Sequence, residues 1–221
     1  MLMHQFTDQL DNFIITSPNY KIFSQSTLPP FLKVMEGLGR YNKQDQCFEL
    51  YHGGKCWFRT GDKNPDSVVG ITNVRGILCD EAGLYGLYFW ENIQGRASFK
   101  EAPIRIVTSP YALNWLYKDY IRPIQKNNQA VKEECELIQA SSKENPYFPN
   151  SEYERKRKTM DPRRFLMMYG GEFIKATGLV YEVFDEQENM CDPFLIPSKA
   201  RIFGGKHVGH PVVKSQQKYH P

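Results

Sequence analysis

The chain has 221 residues, 41% of them apolar and 14% aromatic, which excludes wholesale disorder and leaves room for one large domain plus a fragment of a second. Its 28 basic against 25 acidic residues give a net charge of +3, which excludes a polycation binding nucleic acid indiscriminately. Five cysteines, an odd number at irregular spacing and with no C-x-x-C pair, exclude a disulfide framework and a cysteine zinc site.

In chain order, Met1 to Asn12 is polar and has no signal-peptide core, and no apolar run anywhere approaches a membrane span. A reduced, cytoplasmic compartment is therefore expected. Phe13-Ile14-Ile15-Thr16 predicts a buried strand that leaves into a loop at Ser17-Pro18-Asn19. Ser26-Thr27 is expected to cap a helix with Pro29 in its first turn and Phe31, Leu32, Val34 and Met35 as its apolar stripe. Cys47 to Tyr51 and Lys55 to Arg59, joined by His52-Gly53-Gly54, predict a hairpin. Two further strands are expected, Gly76 to Asp80 and Ile104 to Val107, with a helix over Tyr85 to Gln94 between them. Strands alternating with helices imply an α/β fold with a mainly parallel sheet.

Downstream, Trp115 to about Ile138 is expected to be helical with an interruption at Pro123. Asn145 to Pro149 forms a rigid turn. A charged helix then runs to about Met160, and another from Asp161-Pro162 to Gly170. After Gly178 come short strand-like pieces, Leu179 to Phe184 and Ala200 to Phe203, and a basic tail.

The chemistry concentrates in the middle. Asp80-Glu81 follows Ile77-Leu78-Cys79, and the carboxyl end of a buried parallel strand is where α/β folds place ligand-binding groups. In nucleotide hydrolases an Asp there holds Mg²⁺, and a following Glu orients and deprotonates the attacking water. A solvated strand end is the competing reading. Thr108-Ser109-Pro110 closes the next strand with small hydroxyl residues, suited to sensing a γ-phosphate; a polar turn is the bland alternative. No G-x-x-x-x-G-K-[ST] pattern occurs in the sequence, and Gly37-x-Gly39-Arg40 and Gly53-Gly54-Lys55-Cys56 are the nearest stretches.

In collinear order these segments resemble the large subunit of tailed-bacteriophage terminases, the DNA-packaging motor ATPase and nuclease. Phe13 to Tyr20 resembles the strand and loop after that family's P-loop helix, and Ile77 to Ala82 its Walker B strand. Thr108-Ser109-Pro110 with Asn114-Trp115-Leu116-Tyr117 is similar to its coupling motif. Asn145 to Pro149, Asp161 to Phe165 and Gly171-Glu172-Phe173 resemble the end of its ATPase domain, and Gly178 to Tyr181 the entry to its RNase H-like nuclease domain. The resemblance implies a P-loop NTPase-like sheet over 1–175, without its P-loop segment, and the start of the nuclease domain over 176–221.

It further implies Mg²⁺ and ATP as cofactors. Asp80 would serve the metal, Glu81 would be the catalytic base, Thr108 would couple hydrolysis to movement and Ser109 would lie beside the nucleotide. The implied partners are double-stranded DNA, a portal protein, a terminase small subunit and a homo-oligomeric ring, in the cytoplasm of the bacterial host. His207 in Gly205 to Gly209 stands where the family carries its first nuclease carboxylate, so no nuclease activity is expected. The phosphate loop is also missing from the pattern, so a partial or inactive fragment, truncated or of prophage origin, is the expectation. A helicase-like ATPase fragment and a non-catalytic DNA- or portal-binding remnant stand as alternatives. For the remnant, Arg155 to Lys158 and Arg163-Arg164 would carry the contact, against a solvated helix face balanced by Glu152 and Glu154. Arg59 and Arg96 are candidates to face phosphate or DNA, a surface arginine being the commoner outcome.

Overall fold

The sheet is built around Phe13, Ile14 and Ile15, three consecutive buried residues that only a strand covered on both faces can hide. The structure, a computed structural model, describes residues 11–111 and 113–174. Strand β1 (Asn12–Ser17) lies between β4 (Lys55–Thr60) and β5 (Val74–Asp80), and β6 (Ile104–Val107) pairs with β5. These four strands are mutually parallel. Two antiparallel strands, β2 (Gly39–Asn42) and β3 (Cys47–Leu50), extend the β4 side, giving the order β2-β3-β4-β1-β5-β6. The expected mainly parallel α/β sheet is thus present, with an antiparallel extension from the hairpin.

Each sheet face has its own apolar layer. On one, Ile14, Ile77 and Cys79 pack with Phe89, Trp90 and Ile93 of helix α3 (Leu87–Ala97) and with Trp115. On the other, Phe13, Ile15 and Phe58 pack with Phe23, Phe31, Leu32 and Met35 from the first helical segment. Burial in the first layer pushes the Cys79 thiol up to about 12. No helix among the described residues is long and apolar enough to cross a membrane.

That first helical segment departs from expectation. It starts earlier, at α1 (Tyr20–Ile22), with the Asn19 side chain accepting from the Ile22 N–H at 2.9 Å. A π-turn over Phe23–Thr27 then joins it to α2 (Leu28–Val34). The reason is Pro29-Pro30: prolines have no N–H, and their rings clash with the carbonyls four residues back. The ladder widens instead, and the Leu28 N–H reaches Phe23 O, five residues away. Thr27 is therefore inside the helical run, without a capping bond. Val34, expected in the apolar stripe, is 76% exposed.

The same device recurs at Pro123. A π-turn over Tyr117–Ile121 precedes α4 (Arg122–Gln125), and the Arg122 N–H donates to Tyr117 O. Pro123 widens the helix and does not interrupt it; the break comes at Asn127, which adopts φ +61°. Helix α5 (Gln129–Glu134) follows, capped by Asn128, and it ends short of the expected Ile138. Helices α6 (Asn150–Thr159) and α7 (Pro162–Tyr169) fall where expected, with Asp161 capping the latter. On α6, Glu152 pairs with Arg155 at 2.7 Å and Glu154 with Arg157 at 2.8 Å, the balanced solvated face the sequence favours. The strand-like pieces after Gly178, the nuclease segment 176–221 and His207 lie outside the described residues.

Candidate functional site

Because β1, β5 and β6 are parallel, their carboxyl ends open on one edge of the sheet. Asp80 is the last residue of β5 and stands opposite Val107 of β6, so Thr108 follows at the same edge. The structure brings Asp80, Glu81, Thr108 and Ser109 together there.

Each is held by a definable contact. The Asp80 carboxylate accepts from the Thr27 hydroxyl, Oγ1 to Oδ2 at 2.5 Å. Its main-chain oxygen lies 2.9 Å from the Tyr85 hydroxyl, which is also 2.9 Å from Thr16 Oγ1 and has one proton to share between them. Burial pushes the Tyr85 pKa well above the ordinary phenol range, so it stays a neutral donor. Glu81 adopts the left-handed region, φ +52° and ψ +42°, which costs about 1–2 kcal/mol for a non-glycine residue. Such strain clusters where a side chain must be aimed. Glu81 Oε2 accepts from the Ser109 N–H at 3.3 Å. No basic side chain among the described residues forms a salt bridge with Asp80 or Glu81.

The loop after Glu81 is clamped to the segment after β6. The Gly83 N–H donates to Thr108 Oγ1 at 3.0 Å, and Thr108 donates onward to Ser109 O at 2.9 Å. Asn114 Nδ2 donates to Gly83 O at 2.6 Å, and Trp115 Nε1 to Tyr85 O at 3.0 Å. Both polar groups of Gly83 are thus committed to one neighbouring segment. A Cβ at Gly83 would lie 2.8 Å from Thr108 Oγ1, so only glycine fits this approach. Gly83→Ala is expected to break the Thr108 bond and destabilise the domain by about 1–3 kcal/mol in urea unfolding. An unchanged unfolding midpoint would mean the loop has room to shift.

Thr27, Gly83 and Tyr85 belong to this site or its support, and sequence reasoning assigned none of them a role there. No local pattern signals them, since each reaches the site through a contact between residues distant in the chain.

Other candidates lie elsewhere. Lys55, after Gly53-Gly54, is at the amino end of β4 in register with Asn12, the sheet edge opposite Asp80, and bonds Glu49 at 2.9 Å. That stretch is a hairpin turn and faces no phosphate at this site. Arg59 is held by its own sheet and the loop beside it: it donates to Phe58 O at 2.7 Å and Ser67 O at 3.0 Å, and lies 4.8 Å from the Trp57 ring centroid. Arg96 has its Nε buried without a partner among the described residues. Asp45, Cys47 and Glu49 bring three possible ligand atoms within 4.8 Å of one another, but Glu49 is already paired with Lys55.

The chemistry of the donors at the Asp80 edge suits a hard divalent cation. They are a carboxylate and hydroxyls, with negative charge uncompensated by any ion pair among the described residues, and Mg²⁺ takes oxygen ligands with retained water.

No family model matches the sequence, and no curated protein does. Solved structures do match. The large terminase of a thermophilic bacteriophage in complex with ADP superposes with a TM-score of 0.65 at 18% identity, covering 84% of this chain and 46% of that one. The same protein in complex with ATP-gamma-S gives 0.62 at 18% identity, covering 84% and 45%. The large terminase ATPase domain of Thermus phage P74-26 gives 0.58 at 17% identity, covering 78% of this chain and 80% of that domain. The chain thus spans under half the length of the first of these proteins and most of the isolated ATPase domain. With its acidic strand end and hydroxyl-bearing neighbour on one edge, the described domain has the fold of the ATPase domain of phage large terminases.

Proposed function

We propose that this chain is part of a viral DNA-packaging motor and supplies the metal and water half of an ATP-hydrolysis site. The observation that carries the reading is Asp80-Glu81 cross-linked to Thr108 through Gly83, at the carboxyl edge of a sheet with the terminase ATPase fold. Asp80 would hold the Mg²⁺ of the nucleotide, and the ion would neutralise phosphate charge. Glu81, aimed by its left-handed backbone, takes a proton from the attacking water. Its bond to the Ser109 N–H ties that carboxylate to the segment beside it. Thr108 holds Gly83 through its oxygen and gives its proton to Ser109 O, so a phosphate oxygen taking that proton would free Ser109, whose N–H holds Glu81, while the Gly83 bond stays. Double-stranded DNA, a portal protein, a small subunit and further copies in a ring are the partners that go with this role.

Mn²⁺ as a spin-active substitute for Mg²⁺ tests the metal assignment. Titration of the 221-residue chain, with free Mn²⁺ read by EPR, is expected to reveal a site that Asp80→Asn weakens more than about tenfold. Equal affinity in the two proteins would sink the reading and leave an inert nucleotide fold.

A further inference from the structure

Ser17 stands at the carboxyl end of β1 and is 0% exposed, yet its hydroxyl has no hydrogen-bond partner among the described residues. Buried hydroxyls are nearly always paired, so this one calls for a reason. Its surroundings supply it. Thr16 of β1 is in register with Cys79 of β5, which places Ser17 beside Asp80 on the neighbouring strand. Alternation along the strands puts both on one face. Ser17 is in phase with Phe13 and Ile15, and Asp80 with Leu78, all of which belong to the layer under α2. Thr27 approaches from that same side to bond Asp80 Oδ2, while Asp80 Oδ1 receives no hydrogen bond among the described residues.

A carboxylate with one free oxygen therefore stands in a row with a desolvated, unpaired hydroxyl. No direct bond joins the two groups among the described residues, so a ligand shared between them is what would pair the hydroxyl.

We propose that Ser17 is a positioning residue whose hydroxyl takes its missing partner from the hydration shell of a divalent cation held at Asp80. The inference rests on the metal assignment above and adds a residue to it. Thr27 fixes one carboxylate oxygen permanently, and Ser17 is satisfied only when the cation is present. An unpaired buried hydroxyl destabilises the metal-free fold, so this group carries opposite signs in stability and in binding.

That opposition is the test. In the full chain, Ser17→Ala is expected to weaken Mn²⁺ binding about three- to tenfold, the worth of one hydrogen bond. In the absence of metal its Tm is expected to hold or rise, because alanine removes a polar group that had no partner. Ser17→Cys, close in volume but a poor donor, is expected to lose Mn²⁺ affinity likewise. Weaker binding with a metal-free Tm that also falls would make Ser17 an ordinary structural hydroxyl and overturn the inference. Unchanged binding in Ser17→Ala, with loss in Asp80→Asn, would overturn it while leaving the metal site intact. Unchanged binding in both variants would remove the metal site and this inference together.

Discussion

Trp115→Ala is expected to destabilise the domain by about 3–5 kcal/mol, and to do so on the sheet face that supports the acidic loop. Trp115 stacks on Trp90 of α3 with centroids 4.7 Å apart, and its edge meets Tyr120. Its indole N–H also satisfies Tyr85 O, a contact buried from water. Alanine removes the stacked ring and orphans that carbonyl in one step. A total stability of about 5–15 kcal/mol is usual, so this is a large fraction of it. The Tm should fall by about 6–20 °C for a domain of this size. Trp115→Phe keeps much of the stack and loses the hydrogen bond, for a cost nearer 1 kcal/mol. Equal losses in the two variants would show that the N–H bond, and not the packed ring, anchors the loop.

Phe58→Ala is the counterpart on the other face. Phe58 is 1% exposed and meets Phe23 at 5.1 Å, Phe31 at 5.0 Å and Tyr41 at 5.8 Å between centroids. Two of those rings belong to the helical run that carries Thr27. The expected cost is about 3–5 kcal/mol in urea unfolding, against less than about 1.5 for Phe58→Leu. Tyr147→Ala, at a ring 92% exposed, serves as control and should stay within about 0.5 kcal/mol. A Phe58→Ala loss no larger than the control would mean that α2 is not held to the sheet by this cluster. Both large variants act on the site through its scaffold: Trp115 steadies the loop bearing Glu81 and Gly83, and Phe58 the turn bearing Thr27.

Much of this architecture was legible in the residues. Short apolar runs such as Phe13 to Ile15, buried throughout, and Ile77 to Cys79, with Leu78 partly buried, mark interior strands, and the Gly53-Gly54 punctuation marks the hairpin. The ion pairs on α6 were also legible, because Glu152 and Glu154 sit three residues before their partners. Helix interiors were less legible. Pro29 and Pro123 read as a start and a break, yet each widens the preceding turn into a π-turn within a continuing helical run. The outcome depends on whether packing rewards continuing the helix, and no local pattern contains that information.

By itself, the sequence determined a mainly parallel α/β sheet and the presence of Asp80, Glu81, Thr108 and Ser109 at strand ends, since hydrophobic runs and their terminators are local properties. Only the tertiary structure decided that β5 and β6 are parallel neighbours, so that these residues share one edge. It alone paired Thr27 with Asp80 across 53 positions and set both groups of Gly83 against Thr108 and Asn114. It also left Ser17 buried beside Asp80 without a partner among the described residues. The physical reason is that strand order and register come from packing two apolar layers against one sheet, a property of the whole chain. Hydrogen bonds between distant residues follow only once that packing is set.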